Sequence, residues 1–220
     1  TAEKLFFSPY CIDENHFEAS PQAAAQNRKR VRQSLGVSDD TKVILFSGKL
    51  SKKKGVDLLV SAIRSLPEET KKQLHLLLVG DGPLREQLES QCSNSPAISA
   101  SFVGFQNQDT LASYYQAADL LVLPSRERET WGVVINEALL NGLPCIVSDR
   151  VGCHLDLVKP GVTGEVCPAN NVAGLSLAIQ RLLARLPSAS ISAECREQAG
   201  RYSVSAAAEG IAKAWRSLPN

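Results

Sequence analysis

Two acidic side chains, Glu129 and Glu137, lie eight positions apart around a segment that the sequence predicts to be helical. Thr130 is a credible helix N-cap, and the apolar residues after it predict a buried helix that contains Glu137. If helical geometry extends back to Glu129, the two carboxylates lie about 12 Å apart along the axis and within about 80° around it. Such a pair could bind hydroxyl groups of one ligand. Alternatively, Glu129 only complements the helix dipole and Glu137 forms an internal ion pair.

A lysine-rich loop follows the first apolar run of the chain, residues 43–46. Lys49 comes soon after this run and Lys54 stands just before the next helical stretch, so both could reach one pair of phosphates beside free backbone N–H groups. Gly48 and Gly55 would let the backbone approach such a ligand closely. The alternative interpretation is that the loop is an ordinary solvated surface.

The two kinds of side chain fit one class of ligand. In an open parallel sheet, ligands bind outside the carboxyl ends of the strands, where loops converge and helix N-termini point into the crevice. A nucleotide sugar could place its diphosphate between the lysines and the helix N-terminus, with its hydroxyl groups at the two glutamates. The positions of these residues therefore predict a nucleotide-sugar site at the carboxyl edge of a sheet.

The surrounding sequence alternates short apolar runs with helical stretches. Runs that are apolar on both faces are typical of buried parallel strands. They are residues 43–46, 76–79, 98–103, 120–123 and 145–147. Apolar residues at helical spacing lie between them, for example over residues 58–66. The alternation predicts an α/β, Rossmann-like doubly wound parallel sheet with flanking helices, followed by an all-helical end with stripes over 175–186 and 204–215.

Composition argues against two function classes. No stretch approaches the roughly 18–20 apolar residues of a membrane span. Among the 220 residues, 24 basic against 23 acidic side chains leave a net charge of +1, so no global field attracts nucleic acid. Six cysteines form neither a C-x-x-C pair nor a zinc-ligand cluster with histidine, and we interpret them as structural thiols in a reducing compartment. Because the sequence opens at Thr1 without an initiator Met, we expect a fragment of a longer cytoplasmic protein.

Five segments form an ordered series of motifs. They are SGKLSKKKG, LLLVGDGPL, SFVGF with LASYYQAADLLVLPS, ETWGVVINEALLNGLPCIVSDRVG, and GVTGEV. In this order they resemble the G-R-L-x-x-x-K-G loop, the next strand and turn, the nucleobase-side segment, the E-x7-E segment and the G-x-x-G turn of the family 4 retaining glycosyltransferases of GT-B architecture. The resemblance covers nearly the whole chain and implies the C-terminal, nucleotide-sugar-binding half of such an enzyme.

The resemblance implies roles for the matching side chains. Lys49 and Lys54 would bind the donor diphosphate. Glu129 would be the catalytic residue that approaches the transferred sugar, and Glu137 would bind the ribose hydroxyls. Phe105, in the loop after the third predicted strand, would lie near the nucleobase.

Backbone groups and histidines complete the expected site. The amides of Gly132, Val133 and Val134 would add phosphate contacts from the helix N-terminus. Gly152 and His154 would belong to the donor-sugar loop. The other two histidines, His16 and His75, are interpreted as ordinary surface or strand-edge residues.

One side chain departs from the family pattern. Lys49 stands where the family usually has Arg, and a Lys keeps the charge but loses the planar bidentate fork, so the phosphate orientation would be looser. Arg126 or Arg128 could compensate for this loss. Alternatively, both arginines are exposed loop charges.

The resemblance also implies a domain that this chain lacks. The family places its acceptor site, and a histidine near the reacting carbon, in an N-terminal domain. Residues 1–20 are then expected to be an interdomain connection, 21–199 the nucleotide-sugar-binding domain, and 200–220 a helix that crosses back to the missing domain. Without that domain, Trp215 and its apolar stripe would be partly exposed.

The expected function is retaining transfer of a sugar from a UDP- or GDP-linked donor to an acceptor hydroxyl, in polysaccharide or glycoconjugate biosynthesis. The resemblance implies no metal and no other cofactor. The acceptor, a glycan, lipid or small molecule, would be bound by the missing domain, so the isolated chain would bind donor with negligible turnover. Two alternatives stay open: a nucleotide-sugar epimerase or phosphorylase of related architecture, and a non-catalytic nucleotide-sugar-binding subunit. Peripheral membrane attachment is also left open.

Overall fold

The computed structural model describes residues 5–17, 19–95 and 98–218. These residues contain one six-stranded sheet in which each pair of neighbouring strands is parallel. The strands are β1 (Lys42–Ser47), β2 (Leu74–Val79), β3 (Ser99–Gly104), β4 (Leu120–Leu123), β5 (Cys145–Ser148) and β6 (Gly164–Cys167). Their order, β3-β2-β1-β4-β5-β6, is that of a Rossmann fold. The predicted α/β doubly wound fold is therefore confirmed.

Helices flank the sheet. They are α1 (Pro21–Ser34), α2 (Val56–Arg64), α3 (Glu68–Lys72), α4 (Arg85–Ser93), α5 (Gln108–Ala117), α6 (Val134–Leu140), α7 (His154–Leu157), α8 (Val172–Leu183), α9 (Ala189–Gly200) and α10 (Val204–Arg216). Helix α1 packs against α5, α2 against α8 and α6 against α9. Within the described ranges, no helix is long and apolar enough to span a bilayer.

The five predicted strands match β1 to β5, and the predicted helical end is formed by α8, α9 and α10, but the strand that precedes it, β6, was not predicted. Strands β2, β4 and β5 are buried along their whole length, and β1 is buried beyond its first residue. Strand β6 pairs with β5 at the edge of the sheet, and its central residues, Glu165 and Val166, are only half-buried. A short edge strand with a charged residue has no continuous apolar run by which the sequence could reveal it.

Buried polar groups close the amino-terminal edge of the sheet. Arg32, on α1, donates hydrogen bonds to the carbonyls of Thr41 and Ala117 and forms an ion pair of 2.7 Å with Asp119. The same Asp119 oxygen accepts a 2.7 Å hydrogen bond from the N–H of Val43. This network ties α1 to the starts of β1 and β4, which fixes those strands from the edge opposite the predicted site.

The interpretation of His75 as a surface or strand-edge residue was wrong. His75 lies within β2, an interior strand, and is 4% exposed. Its two ring nitrogens lie 2.7 Å and 3.0 Å from the hydroxyls of Ser99 and Ser101 on β3. Burial, with a smaller contribution from the charge of Arg32, lowers the pKa of His75 to about 4. His75 is therefore a neutral residue of the sheet interior.

The first described residues pack on the last helix. The hydroxyl of Ser8 donates a hydrogen bond of 3.1 Å to the carbonyl of Ala207 in α10. Gly210 brings α10 so close that a Cβ there would lie 1.9 Å from the carbonyl oxygen of Phe7. On the same helix, Ile211 and Trp215 of the predicted apolar stripe are exposed, Trp215 by 74%.

Candidate functional site

The strand order places a crevice between the loops that follow β1 and β4. The chain moves from β1 toward β3 on one side and continues with β4 on the other, so the order of strands reverses between these two neighbours. In open α/β sheets this reversal is the point at which ligands bind, outside the carboxyl ends of the strands. The lysine-rich loop follows β1 and the loop that contains Glu129 follows β4.

The two loops are in direct contact. Gly55 has a φ of +70°, and a Cβ at this position would lie 2.1 Å from the carbonyl oxygen of Pro124. Only glycine fits both the left-handed backbone and this close approach. The N–H of Arg126 also donates a hydrogen bond of 2.9 Å to the carbonyl of Lys53. These backbone contacts hold the lysine-rich loop against the loop that follows β4.

The contact brings Lys54 and Glu129 together. The ammonium of Lys54 forms an ion pair with Oε1 of Glu129, and both side chains are partly buried. The hydroxyl of Ser125 donates a 2.8 Å hydrogen bond to Oε2 of the same carboxylate. The hydroxyl of Ser148, at the end of β5, in turn donates a 2.6 Å hydrogen bond to the carbonyl of Ser125. The carboxylate of Glu129 is therefore fixed on both oxygens.

A cavity of about 460 Å³ opens at this point. It is lined by Tyr10, Lys49, Ser51, Lys53, Lys54, Arg128, Glu129, Thr130, Trp131, Gly132 and Val133. Five residues that the sequence predicted, Lys49, Lys54, Glu129, Gly132 and Val133, are thus brought together. Within the described residues, Lys49 has no hydrogen-bond or ion-pair partner. The charged residues of this lining are four cations and one carboxylate.

The helix after Glu129 begins later than predicted. Helix α6 starts at Val134, so the expectation that Thr130 caps it was wrong. Gly132 has a φ of +97°, which interrupts helical geometry, and Glu129 instead forms a short parallel bridge with Val151. The carboxylates of Glu129 and Glu137 are therefore not on one continuous helix. The N–H groups of Gly132, Val133 and Val134 make no hydrogen bond to the described chain, so the loop offers three free donors.

Glu137 does not line this cavity. It is buried in α6, and its Oε2 accepts a 2.5 Å hydrogen bond from the hydroxyl of Tyr115 on α5. Burial raises the pKa of Glu137, and the hydrogen bond from Tyr115 opposes that rise. The alternative of an internal ion pair was wrong for the described residues, because the partner is a neutral hydroxyl. The ribose role of Glu137 stays a prediction.

The family model described as glycosyl transferases group 1 matches residues 27–202. This chain belongs to the group 1 glycosyltransferases. Its fold is that of the C-terminal domain of GT-B glycosyltransferases. An uncharacterized glycosyltransferase of Methanocaldococcus jannaschii is 33% identical over 170 residues, which are 77% of this chain and 43% of that protein. The alpha-D-kanosaminyltransferase of Streptomyces kanamyceticus is 27% identical over 99% of this chain and 55% of its own length.

Solved structures agree with this assignment. Anabaena HepE, in complex with UDP and glucose, is 26% identical, with a TM-score of 0.74 over 94% of this chain and 55% of HepE. Sucrose-phosphate synthase from Thermosynechococcus elongatus is 27% identical, with a TM-score of 0.76 over 96% of this chain and 51% of that protein. The group 1 chain described here thus spans about half the length of several relatives that it matches.

The remaining predicted site residues lie outside the cavity. Phe105 follows β3 and is 82% exposed. A Cβ on Gly152 would lie 2.0 Å from the carbonyl oxygen of Thr130, so Gly152 lets the loop after β5 pack against the Glu129 segment. His154 begins α7, and its Nδ1 lies 2.8 Å from the carbonyl oxygen of Val151. Val134 also does not line the cavity.

The two arginines that could compensate for Lys49 in place of Arg, Arg126 and Arg128, have different environments. Arg126 forms a 2.5 Å ion pair with Asp57 and a 2.9 Å hydrogen bond with the side chain of Asn170, so it is not an exposed loop charge. Arg128 is exposed and lines the same cavity as Lys49. Of the two, Arg128 has the position from which it could supplement Lys49.

The sequence analysis missed several residues of the cavity, among them Tyr10 and Trp131. Trp131 stands between Glu129 and Gly132, so its place in the motif was a usable signal. Tyr10 lies in a segment without periodicity, and no pattern pointed to it.

All six cysteines are free thiols, and burial raises the pKa of Cys153 and Cys195 to about 12. Within the described residues, no group of His, Cys, Asp and Glu has the arrangement of a metal site.

Proposed function

We propose that this chain is the donor-binding part of a family 4 retaining glycosyltransferase. It binds a UDP- or GDP-linked sugar, and the complete enzyme transfers that sugar to an acceptor hydroxyl. The observation that carries the proposal is the common cavity of Lys49, Lys54 and Glu129 at the point where the strand order reverses. Crevices at this point of α/β sheets bind nucleotides, and lysines bind phosphate as point charges.

The diphosphate occupies the cationic part of the cavity. Lys49 has no described partner and is available to a phosphate, whereas Lys54 forms an ion pair with Glu129. A diphosphate competes with Glu129 for the ammonium of Lys54 and accepts hydrogen bonds from the free N–H groups of Gly132 and Val133, which line the cavity. These groups stabilise the negative charge that develops on the leaving diphosphate as the glycosidic bond breaks. The proposal therefore assigns this task to protein cations, with no metal or other cofactor.

The sugar lies at Glu129. Because Ser125 keeps Oε2 of this carboxylate in place, its oxygens can accept hydrogen bonds from hydroxyls of the transferred sugar as Lys54 turns to the phosphate. Gly152 and His154 belong to the neighbouring loop after β5 and complete the sugar side. Glu137 is assigned to the ribose hydroxyls and Phe105 to the nucleobase side. The acceptor is assigned to a domain outside this chain, so the chain alone binds donor with negligible turnover.

Relatives support the choice of ligand. HepE shares this fold and was solved both with UDP and glucose and with UDP-glucose. The aligned residues of these two structures are 26% and 25% identical to this chain, respectively. The kanosaminyltransferase that matches 99% of this chain is named for the transfer of a sugar. A cytoplasmic enzyme of polysaccharide or glycoconjugate biosynthesis is the setting that we propose.

Titration calorimetry with UDP, GDP and their glucose conjugates tests the proposal. Lys49→Ala and Lys54→Ala should each weaken nucleotide binding by about tenfold or more, since a charged hydrogen bond is worth roughly 1.5–3 kcal/mol. Lys52→Ala is the matched control. Lys52 is exposed on the same loop and carries the same charge, but it does not line the cavity. Equal losses in all three variants would mean that the lysines act only through nonspecific electrostatics. No nucleotide binding by the unaltered chain would overturn the proposal.

A further inference from the structure

An aromatic pair forms part of the cavity wall beside the cations. The ring of Tyr10 stacks on Trp131, with centroids 4.9 Å apart and an angle of 21° between the ring planes. Both residues line the cavity that contains Lys49, Lys54 and Glu129. Tyr10 is 55% exposed even though it covers Trp131. The pair is thus accessible to a ligand in the cavity.

The position of this pair is fixed by a buried amide. Trp131 donates a 2.8 Å hydrogen bond from Nε1 to Oδ1 of Asn136. Asn136 is 1% exposed, and its Nδ2 donates a 3.4 Å hydrogen bond to the carbonyl of Tyr10. A buried amide is costly unless it is hydrogen-bonded, so Asn136 is committed to these two partners. One side chain therefore holds both the indole and the backbone of the tyrosine.

The pair continues into a row of four rings. Tyr202 lies 5.9 Å from Trp131, and Phe7 lies 5.7 Å from Tyr202 in an edge-on arrangement. The row links the segment before α1 with the turn between α9 and α10. A wall that is ordered before the ligand arrives loses little side-chain freedom on binding.

We infer that Tyr10 and Trp131 form a subsite for the transferred sugar, in which an aromatic ring packs against the C–H face of a hexose. The inference rests on the proposed function. The face of an aromatic ring carries negative partial charge, so it disfavours phosphate and attracts polarised C–H groups. The lysines of the same cavity favour the phosphate instead. The two kinds of wall therefore separate the uncharged sugar from the anionic part of one ligand.

Stacking of the nucleobase on Tyr10 is the competing arrangement. Two observations favour the sugar. Trp131 is two positions from Glu129, which is assigned to the sugar, and Phe105, which is assigned to the base, lies outside the cavity. The two arrangements differ in one measurable quantity, because a base contact contributes to the binding of UDP and UDP-glucose alike, whereas a sugar contact contributes only to UDP-glucose.

Calorimetry on the protein with UDP and UDP-glucose, and with GDP and GDP-glucose, makes this comparison. Tyr10→Ala should weaken UDP-glucose, or GDP-glucose, by about fivefold and leave the free nucleotide within twofold, as expected for roughly 1 kcal/mol of aromatic contact. Tyr10→Phe keeps the ring and should keep both affinities. Phe7→Ala is the matched control for loosening of the same segment, because Phe7 does not line the cavity. Thermal unfolding of each variant shows that it is folded.

Each outcome decides between the two ideas. A selective loss for the nucleotide sugar in Tyr10→Ala alone supports the subsite. Equal losses for nucleotide and nucleotide sugar, an equal loss in Phe7→Ala, or no loss at all would overturn it while nucleotide binding, and with it the proposed function, survives. If the unaltered protein binds neither nucleotide, the result contradicts the proposed function, and the subsite that rests on it is contradicted as well.

Discussion

The hydroxyl of Tyr115 and the carboxylate of Glu137 meet through a 2.5 Å hydrogen bond between buried side chains of α5 and α6. In this pair the acid has a neutral partner. Burial consequently penalises the charged form and raises the pKa of Glu137 above its ordinary value of 4.5. The ionised form of Glu137, the second acid of the E-x7-E segment, is therefore less stable in the core than it would be in water.

Glu137→Gln should change how stability depends on pH. A carboxyl whose pKa is higher in the folded chain lowers the stability as pH rises through 4.5 toward the folded pKa, because the folded state binds the proton more tightly. Glutamine can still accept the hydrogen bond from Tyr115 but cannot ionise. In urea unfolding between about pH 4 and pH 7, the free energy of unfolding of Glu137→Gln should therefore rise relative to that of the unaltered protein as pH rises. A constant difference across this range would contradict the assignment.

Tyr115→Phe is the companion variant. Loss of the hydroxyl leaves the carboxylate without its described partner and should cost about 1–3 kcal/mol of unfolding free energy at neutral pH. The same substitution in the Glu137→Gln background should cost less, because an uncharged amide is cheaper to leave unpaired. Strict additivity of the two changes would show that the pair is not coupled.

Ser125→Ala should separate chemistry from binding. Ser125 is fully buried and donates its hydroxyl to Oε2 of Glu129, so its removal frees the carboxylate without changing any charge in the cavity. We expect the affinity for UDP or GDP to stay within twofold and the transfer rate of the complete enzyme to fall about tenfold, the size of one lost hydrogen bond. Single-turnover rates and calorimetry measure the two quantities. Ser113→Ala, a buried serine outside the cavity that also donates one hydrogen bond, should leave both unchanged.

His75 should contribute a pH dependence of the opposite sign. Its pKa is lowered by burial from 6.5 to about 4, so the unfolded chain binds the proton more tightly and stability is lost as pH falls from 6.5 toward 4. At 1.36 kcal/mol per pH unit, the loss is roughly 3 kcal/mol. His75→Gln should flatten this part of the stability curve in urea unfolding. An unchanged slope in the variant would mean that His75 ionises freely in the folded chain.

Local pattern was sufficient to predict the sheet because each interior strand is apolar on both faces. It also predicted that Lys49, Lys54 and Glu129 lie at one edge of the sheet, since the carboxyl ends of parallel strands share that edge. It failed at Thr130, where the backbone of Gly132 adopts a φ that no N-cap preference could anticipate. The sequence shows that a glycine permits such a conformation but not that the fold requires it.

Partners distant in sequence were beyond local pattern altogether. The carboxylate of Glu137 clearly needed a partner, but the identity of Tyr115 depends on how α5 packs beside α6. Tyr10 reaches Trp131 across more than half of the chain, through a segment with no periodicity. In both cases the contact follows from tertiary packing, which single-sequence reasoning does not determine.

Gly210→Ala should reverse the usual effect of such a substitution. Alanine in a helix interior normally stabilises by about 1 kcal/mol relative to glycine. At Gly210, however, the new Cβ would lie 1.9 Å from the carbonyl oxygen of Phe7, so residues 5–17 must shift away from α10 and stability should fall. This backbone shift displaces Tyr10 itself and should therefore also weaken UDP-glucose more than UDP, whereas Phe7→Ala removes only a ring that lies outside the cavity.

Gly200→Ala provides the matched control for this substitution. Gly200 also lies in a helix, α9, but a Cβ there has no neighbour within 4 Å. It should therefore show the ordinary small stabilisation, with both ligand affinities unchanged. Thermal unfolding and calorimetry on the two variants measure the contrast. Stabilisation of similar size in both would mean that the segment before α1 does not rest on α10, and the row of rings would then lose its support.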